Sequence, residues 1–198
     1  MSRSLALFDF DGTITSRDTL LEFIKFASGK ARFYRVMTLF APLIIYYKWI
    51  KKDGEIAKQK VLSHLFEGKS ENELKQLGQD FADTVIPGIL YQKAMEAIEK
   101  CKQASTRVVV ISASLDIWLA PWAQANGVEL VCTQMEFNEG KFTGRFATAN
   151  CNGIEKVNRI KALLSTEDYH PIYAYGNSSG DKEMLALASH GYFRHFEN

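Results

Sequence analysis

The chain has 198 residues, a formal net charge of +1 and an apolar fraction of 46%. This length accommodates one core domain with a modest insertion, and the apolar fraction is ordinary for a soluble protein. The 24 basic residues are dispersed and are matched by 23 acidic ones. This balance argues against a nucleic-acid-binding surface, and we predict no nucleic-acid partner.

The three cysteines, Cys101, Cys132 and Cys151, are odd in number and far apart in the chain. None belongs to a Cys-x-x-Cys pair or lies near a histidine at metal-ligand spacing. The N-terminal residues lead directly into a predicted strand rather than into a signal peptide. We therefore expect reduced, mostly buried thiols in a cytoplasmic protein.

An apolar run over residues 5–8 ends abruptly in an acidic stretch. Side chains alternate along a strand, so Asp9 and Asp11 can project to one side of its tip while Phe8 and Phe10 pack on the other. Two anions so close are stable only with a cation between them, or when one keeps its proton and becomes a general acid. Both arrangements suit phosphate chemistry, although an Asp-rich turn that closes a strand is an equally good explanation of this stretch alone.

The residues after the two acids suit the binding of an anion. Gly12 allows a sharp turn, and the backbone N–H groups that follow, beginning with Thr13, can point at phosphate oxygens. The sequence therefore predicts that this turn contributes to a phosphate site.

Residues 16–86 are predicted to be helical throughout. Helices are indicated from Asp18 to about Phe26 and over residues 54–66 and 71–84, each by apolar residues at helical spacing. We interpret residues 16–86 as an all-helical cap domain inserted into a core domain formed by residues 1–15 and 87–198.

The segment 33–50 leaves two interpretations open. Its stretch 36–47 carries no charge, but it is shorter than the roughly 20 residues that cross a bilayer, and Pro42 would kink it. A helix pair inside a helical bundle explains it, and so does a peripheral membrane contact, given its basic flanks and aromatic edges. These flanks and edges are Lys30, Arg32, Arg35, Lys48, Lys51, Lys52, Phe33, Tyr34, Tyr46, Tyr47 and Trp49.

Strands and helices alternate in the rest of the chain. Residues 107–112 are mostly β-branched and do not alternate with polar residues, which is typical of a parallel strand covered on both faces. Residues 135–144 indicate a β-hairpin. Other strands are predicted over 128–133, 171–175 and from Tyr192, and helices over 89–103, 115–125, 153–164 and 182–189. This order predicts an α/β fold, a doubly wound, Rossmann-like parallel sheet with its site at the carboxyl ends of the strands.

In such a sheet, polar loops that are distant in sequence can converge at one edge. Ser112 and Ala113 leave a buried strand, where a hydroxyl and free N–H groups can bind phosphate oxygens, although a lone serine is more often a helix cap. Lys156 lies in the first turn of a predicted helix, where the helix dipole does not favour a cation. It is a candidate for neutralising a transferred phosphoryl group, although solvated surface lysines are common.

A fourth polar loop, residues 176–181, offers an amide, Asn177, and a carboxylate, Asp181. These are ligands that a hard cation such as Mg²⁺ would use opposite the paired acids. The alternative is a polar turn that caps the next helix.

The order and spacing of the four motifs resemble the haloacid dehalogenase superfamily of phosphotransferases from end to end. The stretches 8–13, 111–114, 153–157 and 176–185 resemble its first to fourth motifs. The helical insertion after the first motif is similar to the cap of the phosphoserine-phosphatase-like branch, subfamily IB.

The resemblance implies a chemistry and a set of roles. Asp9 would attack phosphorus to form an aspartyl-phosphate, Asp11 would protonate the leaving alcohol and later activate water, and Lys156 would offset phosphoryl charge. Mg²⁺ would be held by a carboxylate oxygen of Asp9, the backbone carbonyl of Asp11 and the fourth motif. Asp18 falls where related phosphatases have an acidic residue that contacts substrate, and it can equally be an N-cap.

One residue departs from the family pattern. Asn177 stands where the family usually has aspartate, which removes a negative charge and should lower the affinity for Mg²⁺. Asp181 would then act from outside the coordination sphere or as a substitute ligand. We expect an active enzyme with a high Mg²⁺ requirement.

The leading prediction is a Mg²⁺-dependent phosphatase whose partner is a small-molecule phosphate ester, a phosphorylated metabolite. Two alternatives remain. One is a phosphatase of a membrane lipid phosphate, because the chain also resembles bacterial phosphatidylglycerophosphate phosphatases and residues 36–47 are uncharged. The other is a catalytically degenerate binding protein, suggested by Asn177 alone. The sequence does not predict the substrate or the oligomeric state.

Overall fold

The computed structural model describes residues 3–51 and 54–197, with the side chains of residues 48 and 49 excepted. The strands are β1 Arg3–Phe8, β2 Arg107–Leu115, β3 Glu129–Thr133, β4 Met135–Asn138, β5 Lys141–Phe146, β6 Tyr169–Gly176 and β7 His190–Phe193. The helices are α1 Thr19–Ser28, α2 Lys30–Ile45, α3 Gly54–Phe66, α4 Glu71–Thr84, α5 Gln92–Gln103, α6 Asp116–Asn126, α7 Ile154–Leu163 and α8 Lys182–Leu187. A π-helical turn, Tyr46–Ile50, continues α2 directly.

The central sheet has five parallel strands in the order β3-β2-β1-β6-β7, and β4 and β5 form a separate antiparallel hairpin. This architecture confirms the predicted α/β fold class and the predicted hairpin. Phe8 at the end of β1 lies opposite Val110 of β2 and Tyr175 of β6. The loop after β1 is therefore flanked by the carboxyl ends of β2 and β6, which is the edge where parallel α/β sheets carry their sites.

The helices inserted after β1 share one apolar core with a face of the sheet. Phe8 and Phe10 belong to the same buried cluster as Phe23 of α1, Phe81 of α4 and Trp118 of α6. The ring centroids of Phe23 and Trp118 are 4.5 Å apart, and those of Phe23 and Phe81 are 5.5 Å apart. Because these rings are interlocked, the helical segment is packed directly on the sheet. The division into core and cap domains at residues 15 and 87 stays a prediction.

The opposite face of the sheet is covered by a second buried cluster. Leu5 and Leu7 of β1 pack there with Ile160 of α7 and Met184 of α8. β1 is thus buried on both faces, as expected for the central strand of a parallel sheet. This second cluster fixes α7, whose first turn faces the functional edge.

The prediction of two helices within residues 33–50 is wrong, because α2 runs through Pro42 and passes into the π-helical turn. Proline removes one helical hydrogen bond, and Pro42 lies on the exposed side, where that loss is tolerated. The inner side of α2 is anchored by Val36, which is buried, and by Met37 and Phe40, which pack against the core.

The outer side of α2 and of the π-helical turn is exposed and largely apolar. Leu39, Ile45 and Ile50 are 63%, 56% and 67% exposed. The predicted flanking residue Lys52 lies outside the described residues, as do the side chains of Lys48 and Trp49. None of the helices described is long and apolar enough to span a lipid bilayer.

The observed ends of other helices and strands differ from the predicted ones by a few residues. A turn of 3₁₀ helix at Ile86–Ile89 contains Pro87, so α5 begins at Gln92 rather than at residue 89. β2 continues to Leu115, beyond its predicted end at residue 112, because it keeps pairing with β3 after a bulge. The three cysteines are free thiols, with Cys132 and Cys151 buried as expected.

Candidate active site

A cleft of about 360 Å³ lies at the carboxyl edge of the sheet. It brings together seven of the predicted site residues, which are Asp9, Asp11, Gly12, Asp18, Ala113, Lys156 and Asn177. The other three, Thr13, Ser112 and Asp181, are buried and do not line the cleft. Segments that are distant in sequence therefore meet at one edge of the sheet.

Lys156 is the centre of this arrangement. Its ammonium group donates hydrogen bonds to Asp9 Oδ1 at 2.6 Å, to Asp181 Oδ1 at 2.5 Å and to the carbonyl oxygen of Ile111 at 3.0 Å. The side chain is only 2% exposed. A buried ammonium group needs such partners, and here they come from the loop after β1, from β2 and from the loop after β6.

Burial and the neighbouring charges shift the pKa values of the ionisable groups in the cleft. Burial raises the pKa of Asp9 to about 7, against the opposing effect of the Lys156 ammonium. Burial alone would lower the pKa of Lys156, but Asp9 and Asp181 outweigh it and raise that pKa above its ordinary value. Burial also acts to raise the pKa of Asp181, and the neighbouring Lys156 more than reverses this. Lys156 thus remains a cation, and Asp9 is the acid whose pKa burial raises despite that neighbouring cation.

Both carboxylate oxygens of Asp181 accept hydrogen bonds from protein groups. Its Oδ2 accepts hydrogen bonds from the backbone N–H of Asn177 at 3.1 Å, and from the N–H and hydroxyl of Ser178 at 2.9 and 2.8 Å. Its Oδ1 accepts from Lys156. This placement favours a role that positions Lys156 and the loop over a role as a substitute metal ligand.

Gly12 and Asn177 join the first and fourth motif loops. Gly12 has a φ of +74°, and a Cβ atom there would lie 1.9 Å from Asn177 Nδ2. Both the backbone conformation and this close approach require glycine. The Asn177 amide therefore lies directly against the turn that follows the paired acids.

Asp11 is held at the start of the helical insertion. Its Oδ1 accepts hydrogen bonds from the backbone N–H and the hydroxyl of Thr19, both at 2.6 Å, and its Oδ2 accepts one from the Ser114 hydroxyl at 2.5 Å. The indole N–H of Trp118 in turn donates to Thr19 Oγ1 at 3.0 Å. Thr19 was not predicted, and Ser114 was included in the stretch 111–114 but was not selected as a site residue, since single hydroxyl residues carry no distinctive sequence signal.

Asp18 caps α1, as one of its two expectations has it, and it also lines the cleft, while its contact with substrate stays a prediction. Its carboxylate accepts a hydrogen bond from the backbone N–H of Leu21 at 3.2 Å.

The expectation that Ser112 leaves its strand and offers free N–H groups to phosphate needs correction. Ser112 lies within β2, and its hydroxyl accepts a hydrogen bond from the N–H of Ser114 at 3.0 Å. That N–H is therefore not free for phosphate. The Thr13 hydroxyl donates to Asp9 Oδ2 at 3.4 Å.

Lys58 of α3 is a residue that sequence reasoning missed. Its ammonium group reaches from the helical insertion to the carbonyl oxygen of Ala113, at 2.5 Å, and to Asn150 Oδ1, at 3.4 Å. Burial lowers the pKa of Lys58 to about 8, although Asp11 and Asp18 oppose this shift. A lysine in an amphipathic helix is usually a solvated surface residue, so the pattern gave no reason to select it.

The residues of the cleft fit a divalent cation. Four carboxylates, those of Asp9, Asp11, Asp18 and Asp181, lie in or beside the cleft together with two ammonium groups, those of Lys156 and Lys58, which leaves negative charge to be offset. In the described part of the chain, no group of three or more histidine, cysteine or acidic side chains could hold a metal ion. A cation here would thus need amide and backbone oxygens in addition to a carboxylate, and Mg²⁺ accepts such ligands together with water.

Comparisons with known proteins agree with this geometry. A sequence model of the haloacid dehalogenase-like hydrolases matches residues 6–186. "Protein CicA" of Caulobacter vibrioides is 29% identical over 97% of this chain and 86% of its own length. A probable phosphatase of Mycobacterium tuberculosis is 28% identical over 96% of this chain and 68% of its own length.

A solved structure shares the fold. A substrate-bound phosphoserine phosphatase complex superimposes with a TM-score of 0.68 and 19% sequence identity, covering 95% of this chain and 84% of that chain. The family model and the relative named a probable phosphatase confirm the predicted family resemblance and the prediction of a hydrolytic enzyme. The chain belongs to the haloacid dehalogenase-like hydrolase family.

Proposed function

We propose that the protein is a Mg²⁺-dependent phosphomonoesterase that acts on a small phosphorylated metabolite through an aspartyl-phosphate intermediate. The observation that carries the proposal is the buried ion pair between Lys156 and Asp9 at the base of the cleft. A carboxylate is a weak nucleophile in water, and an adjacent fixed cation offsets the charge that builds up on the phosphoryl oxygens.

In the first half of the proposed reaction, an oxygen of Asp9 forms a bond to phosphorus while the bond to the ester oxygen breaks. Asp11 gives a proton to the leaving oxygen. Thr19 holds Oδ1 of Asp11 with two hydrogen bonds, so Oδ2, which is shared with the Ser114 hydroxyl, is the oxygen suited to carry that proton.

In the second half, Asp11 takes a proton from a water molecule, whose oxygen attacks phosphorus. The bond between phosphorus and Asp9 breaks, which releases inorganic phosphate and restores the Asp9 carboxylate. Lys156 remains hydrogen-bonded to Asp9 and Asp181 and keeps the nucleophile in one orientation. The helices packed over the sheet would limit competing water.

We propose that a carboxylate oxygen of Asp9, the backbone carbonyl of Asp11 and the amide oxygen of Asn177 would hold Mg²⁺. When bound, Mg²⁺ supplies charge neutralisation at the phosphoryl group. Burial raises the pKa of Asp9 to about 7, so a cation that favours the carboxylate form also favours the nucleophilic form of this residue.

Two features support a small polar substrate. The cleft has a volume of about 360 Å³, which is at the small end of ligand pockets. Its lining includes a carboxylate, Asp18, and a guanidinium group, Arg17, and this pair could recognise a zwitterionic substrate. A similar fold in a phosphoserine phosphatase complex agrees with such a substrate class.

A second candidate keeps the chemistry and changes the substrate to a lipid phosphate. The exposed apolar residues Leu39, Ile45 and Ile50 favour it, because they could bring the enzyme to a membrane surface. Release of phosphate from phosphoserine and from phosphatidylglycerophosphate in mixed micelles would separate the two candidates.

Replacing Asp9 tests the enzymatic proposal. Asp9→Asn should lower the hydrolysis of p-nitrophenyl phosphate at saturating Mg²⁺ by about a thousandfold or more, because the amide cannot form the acyl phosphate. Asp168→Asn, a matched change in an exposed turn outside the cleft, should keep native activity. Equal rates for Asp9→Asn and the native protein would instead support the degenerate binding protein.

Restoring a carboxylate at residue 177 tests the proposed Mg²⁺ ligands. Asn177→Asp should lower the Mg²⁺ concentration for half-maximal activity by about tenfold, because a charged ligand binds the cation more tightly. Asn152→Asp is the matched control, since Asn152 lines the same cleft but is not a proposed ligand. An unchanged Mg²⁺ requirement in Asn177→Asp would count against coordination by this residue.

The charge of Lys58 should set an alkaline limit on activity. As the pH rises through about 8, Lys58 loses its proton and its hold on the Ala113 carbonyl weakens, so kcat/KM should fall. Arginine stays charged over this range, so Lys58→Arg should move the alkaline limb upward. Lys60→Arg, at an exposed position of the same helix, should leave it in place. Identical alkaline limbs in the native protein and Lys58→Arg would refute this assignment.

A further inference from the structure

The outer face of α2 and the π-helical turn combines exposed apolar side chains with a one-sided charge. We define this outer face by Tyr34, Leu39, Ile45, Tyr46 and Ile50, each 42% exposed or more. At about 1.5 Å of rise per residue, residues 30–50 extend over about 30 Å. The exposed apolar side chains of this face, which we call the apolar strip, are therefore spread along the length of the segment and are open to solvent, with the exposed side chain of Arg35 among them.

The charged residues within the segment that forms this face are all positive. Residues 23–52 contain no acidic residue and seven basic ones, which are Lys25, Lys30, Arg32, Arg35, Lys48, Lys51 and Lys52. Lys30, Arg32 and Arg35 line a surface hollow of about 490 Å³ beside the start of α2. No ion pair joins these three side chains to a carboxylate in the described ranges 3–51 and 54–197, so their charge is available to an external anion.

We propose that the outer face docks on an anionic lipid bilayer and lies in the plane of the interface. An exposed apolar strip with basic residues beside it has the features of a helix that inserts its apolar side among lipid headgroups. Basic residues near such a surface are attracted electrostatically by anionic lipids. The aromatic residues Tyr34 and Tyr46 suit the boundary between headgroups and acyl chains.

A bilayer fits this surface better than a second copy of the chain. In a symmetric dimer the same face would meet itself, and because residues 23–52 contain no acidic residue, the basic residues of each copy would face the other copy's segment without a counter-charge. Like charges at an interface oppose association. An anionic membrane supplies the missing negative charge over an extended area. This inference concerns where the protein binds and does not depend on which phosphate ester it hydrolyses.

Vesicle co-sedimentation tests the proposal without an activity assay. The full chain carrying Asp9→Asn should sediment at least tenfold more with vesicles of phosphatidylcholine and phosphatidylglycerol than with vesicles of phosphatidylcholine alone. Raising the salt concentration should reduce this binding, because salt screens the basic residues. Equal sedimentation with the two kinds of vesicle would overturn the proposal.

Two sets of variants separate the apolar and basic contributions. Leu39→Gln with Ile45→Gln should reduce sedimentation at least tenfold, whereas Leu163→Gln, at an exposed apolar position of α7, should not. Arg32→Gln with Arg35→Gln should also reduce it, whereas Lys100→Gln with Lys161→Gln, which removes two exposed charges elsewhere, should not. Circular dichroism checks that each variant is folded.

Two results would contradict the docking surface. One is that both double variants, Leu39→Gln with Ile45→Gln and Arg32→Gln with Arg35→Gln, sediment with vesicles as much as the parent protein does. The other is that analytical ultracentrifugation shows the native chain as a dimer and the double variant Leu39→Gln with Ile45→Gln as a monomer. The second result would identify a copy of the chain as the occupant of this face.

Discussion

The structure of the functional edge depends on one buried cation, the ammonium group of Lys156, which lies between the carboxylates of Asp9 and Asp181. An isolated charge in this position would be strongly unfavourable. Each of the three groups therefore requires the others, and they belong to α7, the loop after β1 and the loop after β6. This mutual requirement gathers the loops of a parallel sheet into one cleft. It also sets the nucleophile proposed for the reaction beside a fixed positive charge.

The helical insertion completes this edge from the opposite side. The first residue of α1, Thr19, holds Asp11, and Lys58 of α3 holds the carbonyl of Ala113. Because Phe23 and Trp118 join α1 to α6 in the same apolar core as the sheet, these polar contacts have a rigid support. Packing and polar contacts thus act together to close the cleft on the side of the insertion.

Sequence reasoning could predict what depends on local pattern. Periodicity and motif order predicted the buried strands and the acidic residues that follow β1. They also predicted that Lys156 lies in the first turn of a helix. Sequence reasoning could not select Lys58, whose importance depends on which surface of α3 meets the second motif. It also placed a break at Pro42, where packing of Val36 on the inner side and solvent on the outer side let one helix continue. Tertiary contacts decide such features, and a single sequence does not encode them locally.

The most direct test of this account is the stability of Lys156→Met, measured by urea unfolding at pH 7. Without the ammonium group, Asp181 is left buried without a counter-charge and Asp9, whose pKa is already raised to about 7, takes up a proton, so the free energy of unfolding should fall by about 3 to 5 kcal/mol. Adding Asp181→Asn should recover part of that loss, because one uncompensated charge is removed. If the stability of Lys156→Met lies within about 1 kcal/mol of the native value, which is the range of ordinary substitutions, the buried cation does not organise this edge and the account is wrong.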